Sequence, residues 1–161
     1  MDATFLADFR QTVNHATDRL LTYSDDEAGS RPAPGKWSKK EIIGHLIDSA
    51  SNNHGRFVRA QLQDDLIFAG YDQEAWVRAQ RYQERSWADL VWLWRAFNHH
   101  IAAVMETADP HAVTRPRTRH NLDQLAWRSV SPLQSTTLEY FMCDYVDHLK
   151  HHLRQALPQP A

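Results

Sequence analysis

Ten histidines in a chain of 161 residues are the feature with the most chemical content. Six of the residues near the C-terminus read Asp147-His148-Leu149-Lys150-His151-His152. If this stretch is helical, Leu138, Met142, Tyr145, Leu149, Leu153 and Ala156 form its core-facing stripe at 100° per residue. His152 then falls within the edge of that stripe, His148 beside it, and His151 further round toward solvent. Residues four apart stack one turn above the other, so His148 and His152 can offer two imidazoles to one divalent metal. A histidine pair alone is common on exposed helices, and the pattern needs a third ligand from elsewhere.

The segment after Trp37 supplies one. Taking Ile42, Ile43, Leu46, Ala50 and Phe57 as an apolar face, His45 sits on its boundary. Ser49, Asn52 and Arg56 continue from it within a sector of about 60°. Such a polar strip along an apolar face is what a helical bundle needs to line a pocket. Asn53 and Asn98 fall inside apolar sectors, where an unpaired amide is costly, so each requires a partner. His100 flanks the apolar face of its helix and is placed at the pocket mouth, whereas His99 is expected to be solvated. Trp87 and Trp94 read as core.

Several familiar chemistries lack their anchors. A zincin needs Glu directly after its first histidine, but position 149 is Leu. No Glu-x-x-His pair for a carboxylate-bridged di-iron centre occurs, and neither do GxGxxG, Walker or GxSxG motifs. The net charge of −2 and pI near 6.5 argue against nucleic acid as a partner. The single cysteine, Cys143, rules out an internal disulfide and fits a reducing, cytoplasmic location, and it reads as a quiet buried thiol. The opening MDATFLADFR, with Asp2 and Asp8 among its apolar residues, reads as neither a signal peptide nor a membrane span.

The elements that must position these residues follow from apolar spacing and capping signals. Phe5, Leu6, Phe9, Val13, Ala16 and Leu20 define a first helix within 2–23. Ser24 to Trp37, with two prolines and two glycines, reads as a loop. Ser38-Lys39-Lys40-Glu41 has the capping-box form and opens a second helix to about Gln61. After the break at Gly70-Tyr71-Asp72 comes a short amphipathic piece, 73–81. Ser86 starts a third helix whose face runs through Leu90, Leu93, Trp94, Phe97, Ile101, Val104 and Met105 to a stop at Asp109-Pro110. A long connection follows, with one helical turn around 122–127. Thr136-Thr137-Leu138-Glu139 then caps a last helix ending near Leu157-Pro158. The expectation is one all-α domain over 1–161, a four-helix bundle with a long connection between the third and fourth helices.

The stretches Pro34-Gly35-Lys36-Trp37-Ser38-Lys39-Lys40-Glu41, Gly44-His45-Leu46-Ile47-Asp48 and 144–155 together resemble the paired motifs of the DinB/YfiT-like superfamily. Tyr71-Asp72-Gln73 and Asn98-His99 resemble its intervening segments. The resemblance, which runs from about Trp37 to Gln155, implies a four-helix bundle, often a homodimer, with His45, His148 and His152 holding a divalent metal, zinc or nickel first. It also implies a small-molecule substrate and, by likeness to bacillithiol- and mycothiol-dependent members, a low-molecular-weight thiol as co-substrate. Other members are assigned to hydrolysis. On this reading Asn52 and Arg56 orient substrate, and Asp48 or Asp144 hydrogen-bonds a ligand imidazole from behind. No residue declares itself a general base, which fits activation of water or thiol by the metal. The rival expectation is a non-catalytic interaction protein whose bundle the metal stabilises.

Overall fold

A computed structural model describes residues 1–157. Four long helices carry the architecture, and each begins on a side-chain cap. Asp2 accepts from the Thr4 amide to start α1 (Ala3–Leu20). Ser38 and Glu41 exchange the two hydrogen bonds of a capping box at the start of α3 (Lys39–Leu62). Ser86 caps α5 (Trp87–Thr107), and Thr137 caps α8 (Leu138–Ala156). These four are the predicted helices. The last ends at Ala156 with Leu157 as its C-cap; Pro158, part of the expected stop, lies outside the described residues.

Shorter elements fill the connections: α2 (Asp25–Gly29), α4 (Gln73–Gln80), α6 (Pro110–Thr114), α7 (Leu122–Leu125) and a 3₁₀ turn at Tyr82–Glu84. Two of them correct the sequence reading. The segment 24–37 is not wholly loop, because Ser24 and Glu27 form a second capping box that supports one helical turn before the prolines. Asp109-Pro110 both follows α5 and opens α6, since Asp109 accepts from the amides of His111 and Ala112 while proline fits the first helical position.

α3 is the central element. It lies against both α5 and α8, while α1 packs chiefly on α5. Phe57, fully buried, meets Phe141 and Tyr145 edge-on, and Phe9 of α1 approaches Tyr145 from the other side. The Tyr145 hydroxyl donates to Asn98 Oδ1 at 2.6 Å, and the Asn98 amide donates to the Trp94 carbonyl. Asn98 is thereby satisfied at full burial, as its position requires. The core face of α5 is rotated from the predicted one. It runs Trp87, Leu90, Val91, Trp94, Asn98, Ile101, Ala102 and Met105, leaving Leu93 half exposed and Phe97 and Val104 at the margin. Packing against α1 and α3 together selects this face.

The long connection from α6 to α8 is tied down by backbone pairing. Arg117 and Thr136 exchange amide–carbonyl bonds of 2.7 and 3.0 Å. Leu66, between α3 and α4, pairs with the strand-like stretch 119–121. His120 is a structural residue there: its Nε2 bonds the Gln134 carbonyl and its Nδ1 accepts from the Leu122 amide. Among the described residues, no helix is long and apolar enough to cross a membrane.

Candidate metal centre

The site forms where the second turn of α3 crosses the last turns of α8. Gly44 permits the approach of the neighbouring segment, because a Cβ at that position would lie 2.1 Å from the Tyr82 ring. His45, the next residue, is completely buried, and the Trp37 ring lies at 5.2 Å from its imidazole. From α8, His148 and His152 approach the same point. His45 Nε2 and His148 Nε2 are 3.3 Å apart. The His152 ring centre lies 4.7 Å from that of His45 and 4.6 Å from that of His148. One ring nitrogen from each of the three falls within 4.8 Å of the others.

The electrostatics suit a ligand set. Burial, reinforced by the positive charge His152 would carry, pushes the imidazoles of His45 and His148 down to about 3. Burial lowers His152 as well, with the Gln155 hydrogen bond opposing it. All three are therefore neutral near pH 7 and keep a lone pair for coordination. Zinc–nitrogen bonds of about 2.0–2.1 Å in a tetrahedron place neighbouring donors roughly 3.3 Å apart, and the His45–His148 separation matches that edge. Three imidazoles are also a donor set that divalent transition metals accept.

Gln155 orients the third imidazole. Its Oε1 lies 3.0 Å from His152 Nδ1, and its amide nitrogen donates to His151 Nε2 at 3.1 Å. An Nδ1–H donated to Gln155 leaves the His152 Nε2 lone pair free for a metal. His151 itself packs its ring on Trp127 at 5.2 Å. In the sequence, the spacing of Gln155 three and four residues from His152 and His151 is the signal for this contact.

The expected partners behind the imidazoles do other work. Asp48 accepts from the Tyr82 hydroxyl at 2.7 Å and from the Gln80 amide, tying α3 to α4 and the 3₁₀ turn. Its other oxygen is buried without a partner, and burial raises its carboxyl. Asp144 accepts from the Trp127 and Arg128 amides at 2.8 and 2.7 Å, and so fastens the long connection to α8. Burial raises this carboxyl too, against those two hydrogen bonds. Both contacts fix elements around the site instead of imidazole tautomers.

Beside His148 and His152 lies a cavity of about 380 Å³. α3 contributes Ser49, Asn53 and Arg56; α8 contributes Asp144 and Tyr145; the connections contribute Tyr71, Gln124 and Trp127. Arg56 thus stands where expected. Asn52 does not line this wall: its amide donates to the Asp48 carbonyl of its own helix, and Asn53 takes the inward position. Asn53 is satisfied by the Ser49 carbonyl and by Arg56. His100 is also elsewhere. It faces His54 across α3 and α5, with their Nε2 atoms 3.2 Å apart. His99 is half-buried, and its Nε2 lies at an exposed hydrogen bond with Asn14. Cys143 is half-buried, and burial with the nearby Glu139 and Asp147 charges pushes its thiol up, away from a reactive thiolate.

The fold and site define a helical-bundle protein with a three-histidine cluster capable of holding a divalent metal. The DinB superfamily model matches residues 6–156, and the chain belongs to that superfamily. No curated protein matches it. Among solved structures, YfiT from Bacillus subtilis matches with a TM-score of 0.72 at 17% identity, covering 97% of this chain and 86% of that one. YfiT is described as a probable metal-dependent hydrolase with an unusual four-helix bundle topology. At that identity the likeness is one of fold.

Proposed function

We propose that the protein is a metal-dependent enzyme acting on a small molecule, with His45, His148 and His152 as ligands of a zinc or nickel ion. The observation that carries this is the absence, among the described residues, of a fourth protein donor in the cluster. Both oxygens of Asp144 are engaged by backbone amides, and His151 is engaged by Gln155 and Trp127. Three protein ligands beside a cavity are the arrangement of catalytic sites; structural sites close with four.

A divalent ion there supplies Lewis acidity and lowers the pKa of a bound water or thiol. The chain's own residues do the rest. Trp37 and the Tyr82–Gly44 contact exclude water behind His45, Gln155 sets the His152 tautomer, and Arg56 with Asn53 orients the substrate. Asp48 and Asp144 hold the walls. The nucleophile is water or a low-molecular-weight thiol; the description of YfiT lends weight to hydrolysis, while the superfamily resemblance lends weight to thiol transfer. The low charge and single unreactive cysteine support a cytoplasmic protein without a nucleic-acid partner, and the resemblance supports a homodimer.

The test is metal analysis of tag-free protein beside an electrophile panel. Wild type should carry one metal and His45→Ala none. Wild type should also turn over an ester, epoxide or alkyl halide with water, bacillithiol, mycothiol or glutathione. Equal metal in both proteins removes the three-histidine site. Metal that raises Tm while no electrophile reacts replaces the enzyme by a metal-stabilised interaction protein.

A further inference from the structure

Three cationic side chains in the described part of the molecule are almost fully buried, and they are not equivalent. Lys40 reaches Asp25 at 2.6 Å. Arg117 makes no ion pair among the described residues but donates to the Ala60 carbonyl, and Asp64 and Asp65 attract it against burial and Arg115. Arg56, only 4% exposed, has no carboxylate attracting it. Nη1 donates to Asn53 Oδ1 at 3.3 Å and Nη2 to the Ala69 carbonyl at 2.8 Å. No carboxylate among the described residues lies within ion-pair distance. Asp144, which shares the cavity, has both oxygens on backbone amides.

A buried guanidinium without a counter-charge carries an unrecovered desolvation penalty. It does so at the wall of the cavity that His148 and His152 also line. Two of its five N–H donors have protein partners, and a guanidinium with donors to spare is the side chain that fits a carboxylate. The neutral hydroxyl of Tyr71, whose pKa burial raises to about 12, and that of Ser49 line the same cavity and add donors. We infer that the substrate is an acid, whose carboxylate docks on Arg56 while its reacting group faces the three histidines.

Spacing along α3 sets its length. Arg56 reaches back to Asn53, eight residues from His45, or about 12 Å of axial rise at 1.5 Å per residue. On this spacing an elongated acid fits better than a compact one. This rests on the metal-centred reading above only for the position of the reacting end.

The probes are monohydroxamates of linear dicarboxylic acids, from succinic to sebacic, each beside its terminal-amide analogue. The hydroxamate end reports on the metal and the other end on Arg56. In calorimetry on the zinc-loaded full chain, the acid should bind at least about tenfold tighter than the amide, with an optimum among the longer chains. Arg56→Gln should abolish that ratio, and Arg56→Lys should restore part of it. Acid and amide binding equally to wild type, or a ratio that survives Arg56→Gln, overturns the inference. If the amides bind zinc-loaded and metal-free protein alike, the metal-centred reading fails instead. Suberate against its diamide on metal-free protein then still decides the anion site. Should Arg56→Gln fail to fold, the Lys variant and the wild-type acid-to-amide ratio decide it.

Discussion

Two clusters of histidine lie on the same helix, and they are built differently. At the start of α3, His45 is sealed from solvent and meets two rings from α8. Nine residues later, half-buried His54 meets the exposed His100 of α5, with Phe97 against its edge. The Nε2 separations, 3.3 and 3.2 Å, hardly differ. What differs is the third imidazole, the burial and the adjoining cavity. Close nitrogens alone do not make a metal centre; a site also needs enough donors, held neutral by burial, and room for a ligand.

Removing one ligand should break this contrast most visibly. His45→Ala should lower metal affinity by more than the roughly 10–100-fold that an outer-shell change costs, whereas His54→Ala should leave metal content unchanged. Elemental analysis of tag-free proteins reads both, and loss of metal in the His54 variant would erase the distinction. Next comes pH. The unfolded state protonates these histidines near 6.5, while the folded state holds His45 and His148 neutral down to about 3. Between those limits the unfolded chain binds more protons, so metal-free protein loses stability as pH falls. His45 alone contributes up to about 1.4 kcal/mol per pH unit. Urea titrations should show a shallower slope for His45→Ala and nearly the wild-type slope for His54→Ala.

The glycines flanking the two clusters sharpen the comparison further. Gly44→Ala drives a methyl into the Tyr82 ring and should cost about 1–3 kcal/mol in urea unfolding. Gly55→Ala meets only the flexible Arg59 side chain, at 3.7 Å or more, and should stabilise α3 by up to about 1 kcal/mol. A stable Gly44→Ala protein would mean that the 3₁₀ turn is free to move away from His45. Smallest of all, His100→Ala should change stability by less than about 0.5 kcal/mol, as exposed substitutions usually do.

The long helices and the His148–His152 pair were readable because their signals are local. Ser38 with Glu41, Ser86 and Thr137 mark helix starts by bonds to amides within one turn. His148 and His152 share a face through a four-residue repeat that holds wherever the helix packs. The missed features have non-local causes. Asn52 continues the polar strip of His45 and Ser49 on a wheel, but its amide bonds back to its own helix, and α8 and the connections close the cavity on the Asn53 side. His100 looks equally suited to a pocket mouth on a wheel, but α5 carries it to His54. Asp48 sits three residues from His45, yet Tyr82 and Gln80, brought in by the turn after α4, capture its carboxylate.

By itself, then, the order of residues determined where helices begin, which stripe of each is apolar, and that two imidazoles project together from the last one. Those properties depend on groups within about four residues of each other, which helical periodicity fixes. Only the tertiary structure decided that His45 meets His148, 103 positions away, that Gln155 and not a carboxylate orients His152, and that Arg56 is buried without a counter-charge. Those depend on how α3 and α8 cross and on where the connections are fastened, and no local period encodes either.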